Sequence, residues 1–129
     1  MIIVSTIGRK RLLVSMLSAV DGATLKLFKN DVLYDSSPEL VGFEEADFIG
    51  YSPVVLNGTW KILDGKATYP KQLFVATASQ NEQQIYGYFI EKDEKLLFWE
   101  VFDEGSVSVS LEGDLLAIAL QLEVQEIET

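Results

Sequence analysis

The sequence predicts a mainly β domain, an antiparallel β-sandwich or barrel of about seven to nine strands with one N-terminal helix. Three observations predict it. Val107-Ser108-Val109-Ser110-Leu111-Glu112 alternates apolar and polar residues without a break, the period of a strand with one buried face. Turn-forming pairs, among them Asn57-Gly58, Asp64-Gly65, Glu104-Gly105 and Gly113-Asp114, punctuate the chain at short intervals. Helical spacing occurs in one stretch, near the start. The 129 residues are read as one domain over 1–129, with the helix at about 6–20 and the sandwich at about 23–125.

In the helix, Leu13, Met16, Leu17 and Val20 recur at helical spacing, with Arg9, Lys10 and Arg11 near the opening turn. Thr6 is placed to cap it. Asp21-Gly22 ends it, because glycine accepts the left-handed conformation common just beyond a helix. Ala23 to Lys29 is the first strand, with Leu25 and Leu27 on one face and Lys26 on the other, and Asn30-Asp31 turns the chain after it. Val32 to Glu45 contains Ser36-Ser37-Pro38 and Glu44-Glu45, shows no sustained period, and reads as a long exposed connection suited to contact. Phe48 to Tyr51, Pro53 to Leu56 and Thr59 to Leu63 are short apolar pieces. Asn57-Gly58 tolerates the positive φ of a tight turn and predicts a hairpin centred there.

Asp64-Gly65-Lys66 is a second such turn, and Leu73 to Ala78 is a strand closed by the polar run Ser79-Gln80-Asn81-Glu82. Ile85 to Glu91 and Leu96 to Phe102 flank Lys92-Asp93-Glu94-Lys95, which makes this the strongest hairpin in the chain. In the last strand Leu116, Ile118, Leu120, Leu122 and Val124 face one way and Ala117, Ala119, Gln121 and Glu123 the other, a pattern that places it centrally in a sheet.

The net charge of −10, from 20 acidic and 10 basic residues, argues against nucleic acid and anionic membrane as partners. Arg9, Lys10 and Arg11 form the one basic cluster, either a solvated helix face or a patch that orients assembly. Without Cys there is no disulfide. Leu12 to Val20 follows basic residues but is interrupted by Ser15 and Ser18 and lacks a small-x-small cleavage site, so it is not read as a secretory signal; it is also too short to span a bilayer.

An enzyme is not expected. With no His or Cys, a nucleophile has only Lys or a carboxylate as base, and the chain has no Gly-x-Ser-x-Gly, no Ser-x-x-Lys and no phosphate loop. Glu91, Asp93, Glu94, Glu100, Asp103 and Glu104 suit glycoside hydrolysis by type, but no spacing selects a pair. Asp64-Gly65 and Glu112-Gly113-Asp114 offer oxygen ligands without the alternating acids of a dedicated calcium loop, so neither metal nor cofactor is assigned. The sequon Asn57-Gly58-Thr59 is better explained by its turn.

Bulk lies on both faces of the aromatic strands. Tyr86, Tyr88 and Ile90 oppose Ile85, Gly87 and Phe89, while Leu97, Trp99 and Val101 oppose Leu96, Phe98 and Phe102. The favoured account is a central strand with one face on the opposite sheet and the other under the helix. The rival is a subunit interface, whose candidate residues are Tyr86, Tyr88 and Trp99 together with Arg9, Lys10, Arg11, Glu44 and Glu45.

Read in order, Gly8-Arg9-Lys10-Arg11-Leu12-Leu13, Leu25-Lys26-Leu27-Phe28-Lys29-Asn30-Asp31, Glu45-Ala46-Asp47-Phe48-Ile49-Gly50-Tyr51, Ile85-Tyr86-Gly87-Tyr88-Phe89, Leu96-Leu97-Phe98-Trp99-Glu100 and the terminal Gly113-Asp114 strand resemble a family of small structural proteins of tailed phages. The resemblance spans nearly the whole chain. It implies a virion component, assembled in the host cytoplasm, rather than an enzyme. The leading expectation is a capsid decoration or cement protein that forms a dimer or trimer and clamps the major capsid protein. The alternative is a tail or baseplate protein that binds a host surface glycan or another tail protein. A carboxylate-dependent glycan hydrolase is the third reading.

Overall fold

The computed structural model describes residues 6–32 and 39–123. The helix α1 (Thr6–Val20) occupies the expected stretch, and Gly22 with φ 75° follows its end. Leu13 and Val20 are buried, and Met16 and Leu17 are half-buried. The proposed Thr6 side-chain cap lies outside the described residues, as do Ser36-Ser37-Pro38 and Val124.

The protein is mainly β, with eleven strands among the described residues, in antiparallel sheets forming a sandwich and not a closed barrel. In chain order they are β1 (Thr24–Phe28), β2 (Val54–Val55), β3 (Lys61–Leu63), β4 (Lys66–Thr68), β5 (Gln72–Val75), β6 (Gln83–Ile85), β7 (Gly87–Lys92), β8 (Lys95–Val101), β9 (Val107–Val109), β10 (Leu115–Ile118) and β11 (Gln121–Glu123). One sheet runs β2-β1-β7-β8. The remaining strands form the smaller groups β10-β5, β11-β4-β3 and β6-β9. The main core joins Leu25 and Leu27 of β1 and Ile90 of β7 to Phe74, Leu116 and Ile118 of β5 and β10, with Ile85 and Val109 from β6 and β9. This inner set comes from alternate positions of each strand, as the pleat requires.

The strand count exceeds the expected range partly because two expected strands break where the chain changes partner. Ile85 to Glu91 breaks at Tyr86, whose N–H donates to the Phe28 carbonyl at 3.0 Å and whose carbonyl accepts from Phe102 N–H at 2.9 Å. Before it β6 pairs with β9; after it β7 pairs with β1 and β8. The break also divides the row expected to hold Tyr86, Tyr88 and Ile90: Tyr86 packs with Phe28 and Phe89, whereas Tyr88 packs with Ile90 against the main core.

The last strand is not central. Its alternation is as expected, with Leu116, Ile118 and Leu120 buried and Ala117 and Ala119 exposed, but it divides into β10 beside β5 and β11 at the edge of the β11-β4-β3 group. Between the halves the Leu120 carbonyl accepts from Tyr69 N–H at 3.1 Å, which carries the chain from one partner to the next.

Asn57-Gly58 does not make the expected hairpin. β2 pairs with β1, and the bonds Leu56 N–H to Ala23 carbonyl (2.7 Å) and Gly22 N–H to Leu56 carbonyl (2.9 Å) hold it there. Gly58 N–H instead donates to Tyr69 Oη at 2.7 Å. The tight hairpins form at Asp64-Gly65, with φ 53° and 75°, and at Asp93-Glu94, with φ 52° and 62°.

The alternating run at 107–112 contributes one core residue, Val109; Val107 and Leu111 are exposed. The strand stops because Ser110 N–H and Leu111 N–H both donate to Asp114 Oδ2 at 2.9 Å. These two backbone bonds hold the Asp114 carboxyl below the usual aspartate range. A depressed folded-state pKa gives stability that is present above the unfolded value and lost as pH falls through the folded one. Asp114→Ala is therefore expected to lower Tm at neutral pH, and the gap from the parent should close once acid has protonated Asp114 in both states. Thermal melts on a pH series check this.

The second face of the β1-β7-β8 sheet is covered by the end of the 32–45 connection, not by the helix. Phe43 is buried with Phe28, Val32 and Phe89, and Leu40 packs alongside. The cover is pinned at its root: Asn30 Nδ2 donates to the Gly42 carbonyl (2.7 Å), and its Oδ1 accepts from Glu44 N–H (2.8 Å). Glu39, Val41, Gly42 and Glu44 stay exposed as expected of a connection, while Phe43 turns inward and anchors it to the sheet.

β2 pairs only with Thr24 and Leu25, which leaves the Leu27 backbone at that edge without a strand. Ala46 N–H donates to the Leu27 carbonyl at 2.9 Å, and Leu27 N–H donates to Tyr51 Oη at 3.3 Å. The Tyr51 hydroxyl in turn donates to Glu45 Oε2 at 2.8 Å, and burial, with the Glu45 carboxylate beside it, pushes the phenol well above its usual value. Tyr51→Phe orphans a buried strand N–H and is expected to cost about 1–2 kcal/mol, read from the urea midpoint at unchanged slope.

Candidate functional site

The residues singled out from sequence do not gather at one place. Lys10 and Arg11 are exposed on α1 and Arg9 is half-buried; Arg9 and Lys10 border a cleft between the helix and the β3–β4 hairpin floored by Leu13, Ile62 and Leu63. Glu44 is exposed, but Glu45 is tied into the fold: it accepts from Tyr51 and lies 3.7 Å from Lys26 Nζ. Lys26 also pairs with Glu91. Burial works against the Lys26 charge, yet Glu91 and Glu45 outweigh it and raise the amine above its usual value.

Tyr86, Tyr88 and Trp99 do not form one patch: Tyr88 and Trp99 both border a small pocket with Trp60 and Glu100, which Tyr86 does not line. Tyr88 is half-buried and donates to Glu100 Oε2 at 2.6 Å, and its phenol is raised by burial and by that carboxylate. Trp99 sits on the opposite face, 36% exposed, its ring centroid 6.1 Å from that of Phe43. A bulge separates the rows. Ile90 pairs with Phe98 and Glu91 with Leu96, so Leu97 is the extra residue. Leu96 consequently packs with Val101 around Phe89, while Leu97 joins Phe98 and Phe102 at the main core, an exchange of sides relative to strict alternation.

A shallow groove beside β10 brings together Glu100, Asp103 and Glu104, carboxylates named above by type, with Phe102, Val107 and Leu115. Glu100 is committed to Tyr88, and the groove is open to solvent, so a bond placed there stays in contact with water. The Glu112-Gly113-Asp114 turn uses Asp114 to hold backbone rather than offering it outward.

The feature that sequence reasoning missed is the outer face of the β5-β10 pair. The register sets Leu115 opposite Val75 and Ala117 opposite Leu73. All face away from the core, with Leu73 57%, Leu115 53% and Val75 40% exposed. Their neighbours Phe74, Leu116 and Ile118 fill the inner face. A two-stranded ribbon that is apolar on both sides has one layer over it here, and among the described residues none forms the second. Its signal is present in the sequence as the unbroken apolar runs Leu73-Phe74-Val75-Ala76 and Leu115-Leu116-Ala117-Ile118, which mark strands covered on both faces.

No family model, curated protein or solved structure matches the chain. No helix among the described residues is long and apolar enough to cross a membrane.

Proposed function

We propose that the chain is a structural protein of a tailed-phage virion, a capsid decoration protein that self-associates and clamps neighbouring copies of the major capsid protein. The observation that carries this reading is the uncharged outer face of β5 and β10 on a body of net charge −10. A soluble monomer seldom leaves a contiguous apolar patch uncovered, and such patches mark contact surfaces. The motif order that resembles phage structural proteins supports the same class. The work done is adhesion. Apolar rows bury area, the exposed cations Lys10 and Arg11 on α1 supply a polar contact to the shell, and lattice repetition multiplies individually weak contacts.

The test is the chain's place in purified particles. A copy number that matches the capsid lattice is the expected result. A few tens of copies assigns it to the tail or baseplate, where a host glycan or another tail protein is the partner, and absence from the particle overturns the virion reading.

A further inference from the structure

We infer that the cleft between α1 and the β3–β4 hairpin holds the chain's own segment 124–129, whose acids meet Arg9 and Lys10 there, so that the stretch following β11 straps the helix to the sandwich. This goes beyond the virion reading and does not rest on it.

The end of β11 brings the segment to the cleft. Glu123, its last residue, pairs with Lys66, and Lys66 pairs with Leu63 across the Asp64-Gly65 turn. Leu63, Asp64 and Gly65 line the cleft from the hairpin, and Arg9, Lys10 and Leu13 line it from α1. From β11 across β4 to β3 is two strand spacings, about 10 Å. Three extended residues at about 3.3 Å each cover that distance, which brings Glu126 within reach of the cleft and Glu128 further into it.

Chemistry selects this occupant. The interior of the cleft is apolar, with Leu13 buried and Ile62 and Leu63 beside it. Its charged lining is Arg9, Lys10 and Asp64, two cations to one acid, and the exposed Lys61 and Lys66 flank the turn, in a chain that otherwise has twice as many acids as bases. Arg9 Nε is buried, and a buried guanidinium is held best by carboxylates. Segment 124–129 supplies both halves of the match: Val124 and Ile127 for the apolar interior, Glu126 and Glu128 for the cations. The other stretches outside the described residues fit less well. Residues 1–5 contain no acid, and 33–38 are bounded by Val32 and Leu40, which pack with Phe28 and Phe89. The chain's own segment is favoured over a second copy's because a tether this short gives a local concentration on the order of millimolar. Arg11 does not line the cleft and keeps its part in the proposed shell contact.

Carbodiimide coupling of the full chain, which joins a carboxylate to an amine only where the two touch, tests this by peptide mass spectrometry. The expected link joins Lys10 to Glu126 or Glu128. In an equal mixture of unlabelled and heavy-isotope-labelled protein, both halves of the linked peptide should carry the same label. Arg9→Glu, with the circular dichroism of the parent, should cut the yield of that link roughly tenfold, because it replaces attraction by repulsion at the cleft. Should Arg9→Glu misfold, the parent mixture still decides. A link of mixed label, which assigns the segment to a neighbouring copy's cleft, overturns the inference. So does coupling of Glu126 and Glu128 only to other amines, the absence of any link, or an undiminished yield in folded Arg9→Glu.

Discussion

Gly87→Ala is expected to cost about 3 kcal/mol or more. Gly87 opens β7, where it pairs with Phe28 on one side and Val101 on the other. A Cβ built there falls onto the Glu100 backbone carbonyl and lies 2.7 Å from Phe28 Cζ and 2.9 Å from Cε1. Neither neighbour can give way cheaply. The carbonyl belongs to the β7–β8 ladder, and Phe28 is fully buried with rings on two sides. The methyl must either part the strands or push Phe28 off its rotamer, and domains of this size are stable by only about 5–15 kcal/mol in total. Gly42→Ala is the matched control: nothing lies within 4 Å of its Cβ, and its φ is not in the left-handed region. There alanine should be neutral or stabilise by a few tenths to about 1 kcal/mol, by narrowing the unfolded ensemble. Urea unfolding of both variants checks the pair, and equal midpoints would refute the close approach at Gly87.

How far the sequence discloses this fold depends on whether the deciding interaction is local. The helix, β1 with Leu25 and Leu27 inward, and the hairpins at Asp64-Gly65 and Asp93-Glu94 follow from periodicity and turn chemistry, and they stand where those place them. What is not legible is a change of partner. Tyr86 and Leu120 interrupt strands whose residue pattern runs straight through them, because the cause lies in Phe28, Phe102 and Tyr69, distant in sequence. Asn57-Gly58 carries a hairpin signal and makes none, since β2 finds β1 instead and Tyr69 takes the Gly58 amide. The same limit applies to the outer face of β5 and β10. Its apolar runs are visible in the sequence, but whether both sides of such a strand are covered is set by how many layers the fold stacks, and only the fold shows that among the described residues one side of β5 and β10 has no cover.

Phe43→Ala should cost about 3–5 kcal/mol, although Phe43 belongs to no strand and the composition around it reads as an exposed loop. Its ring stacks on Phe89 at 4.8 Å and 18° and meets Phe28 edge-on at 4.9 Å and 63°. Removing it leaves a void between two phenylalanines that the sheet cannot close, because Phe28 and Phe89 are fixed on adjacent central strands that pair through Lys26 and Phe89. The change also wets the face that Phe43 covers, and Trp99, whose ring lies 6.1 Å away, reports it. In a Trp60→Phe background the remaining indole emission should shift to the red while the chain is still folded, ahead of the unfolding transition. The competing account, in which the aromatic rows of β7 and β8 await a partner chain, predicts a different result. Under it Phe43→Ala leaves the urea midpoint nearly unchanged and weakens only association. A loss of several kcal/mol in dilute, unassociated protein decides for the internal role. It also removes these aromatic rows from the surfaces open to a partner chain, unlike the outer side chains of β5 and β10, which no described residue covers.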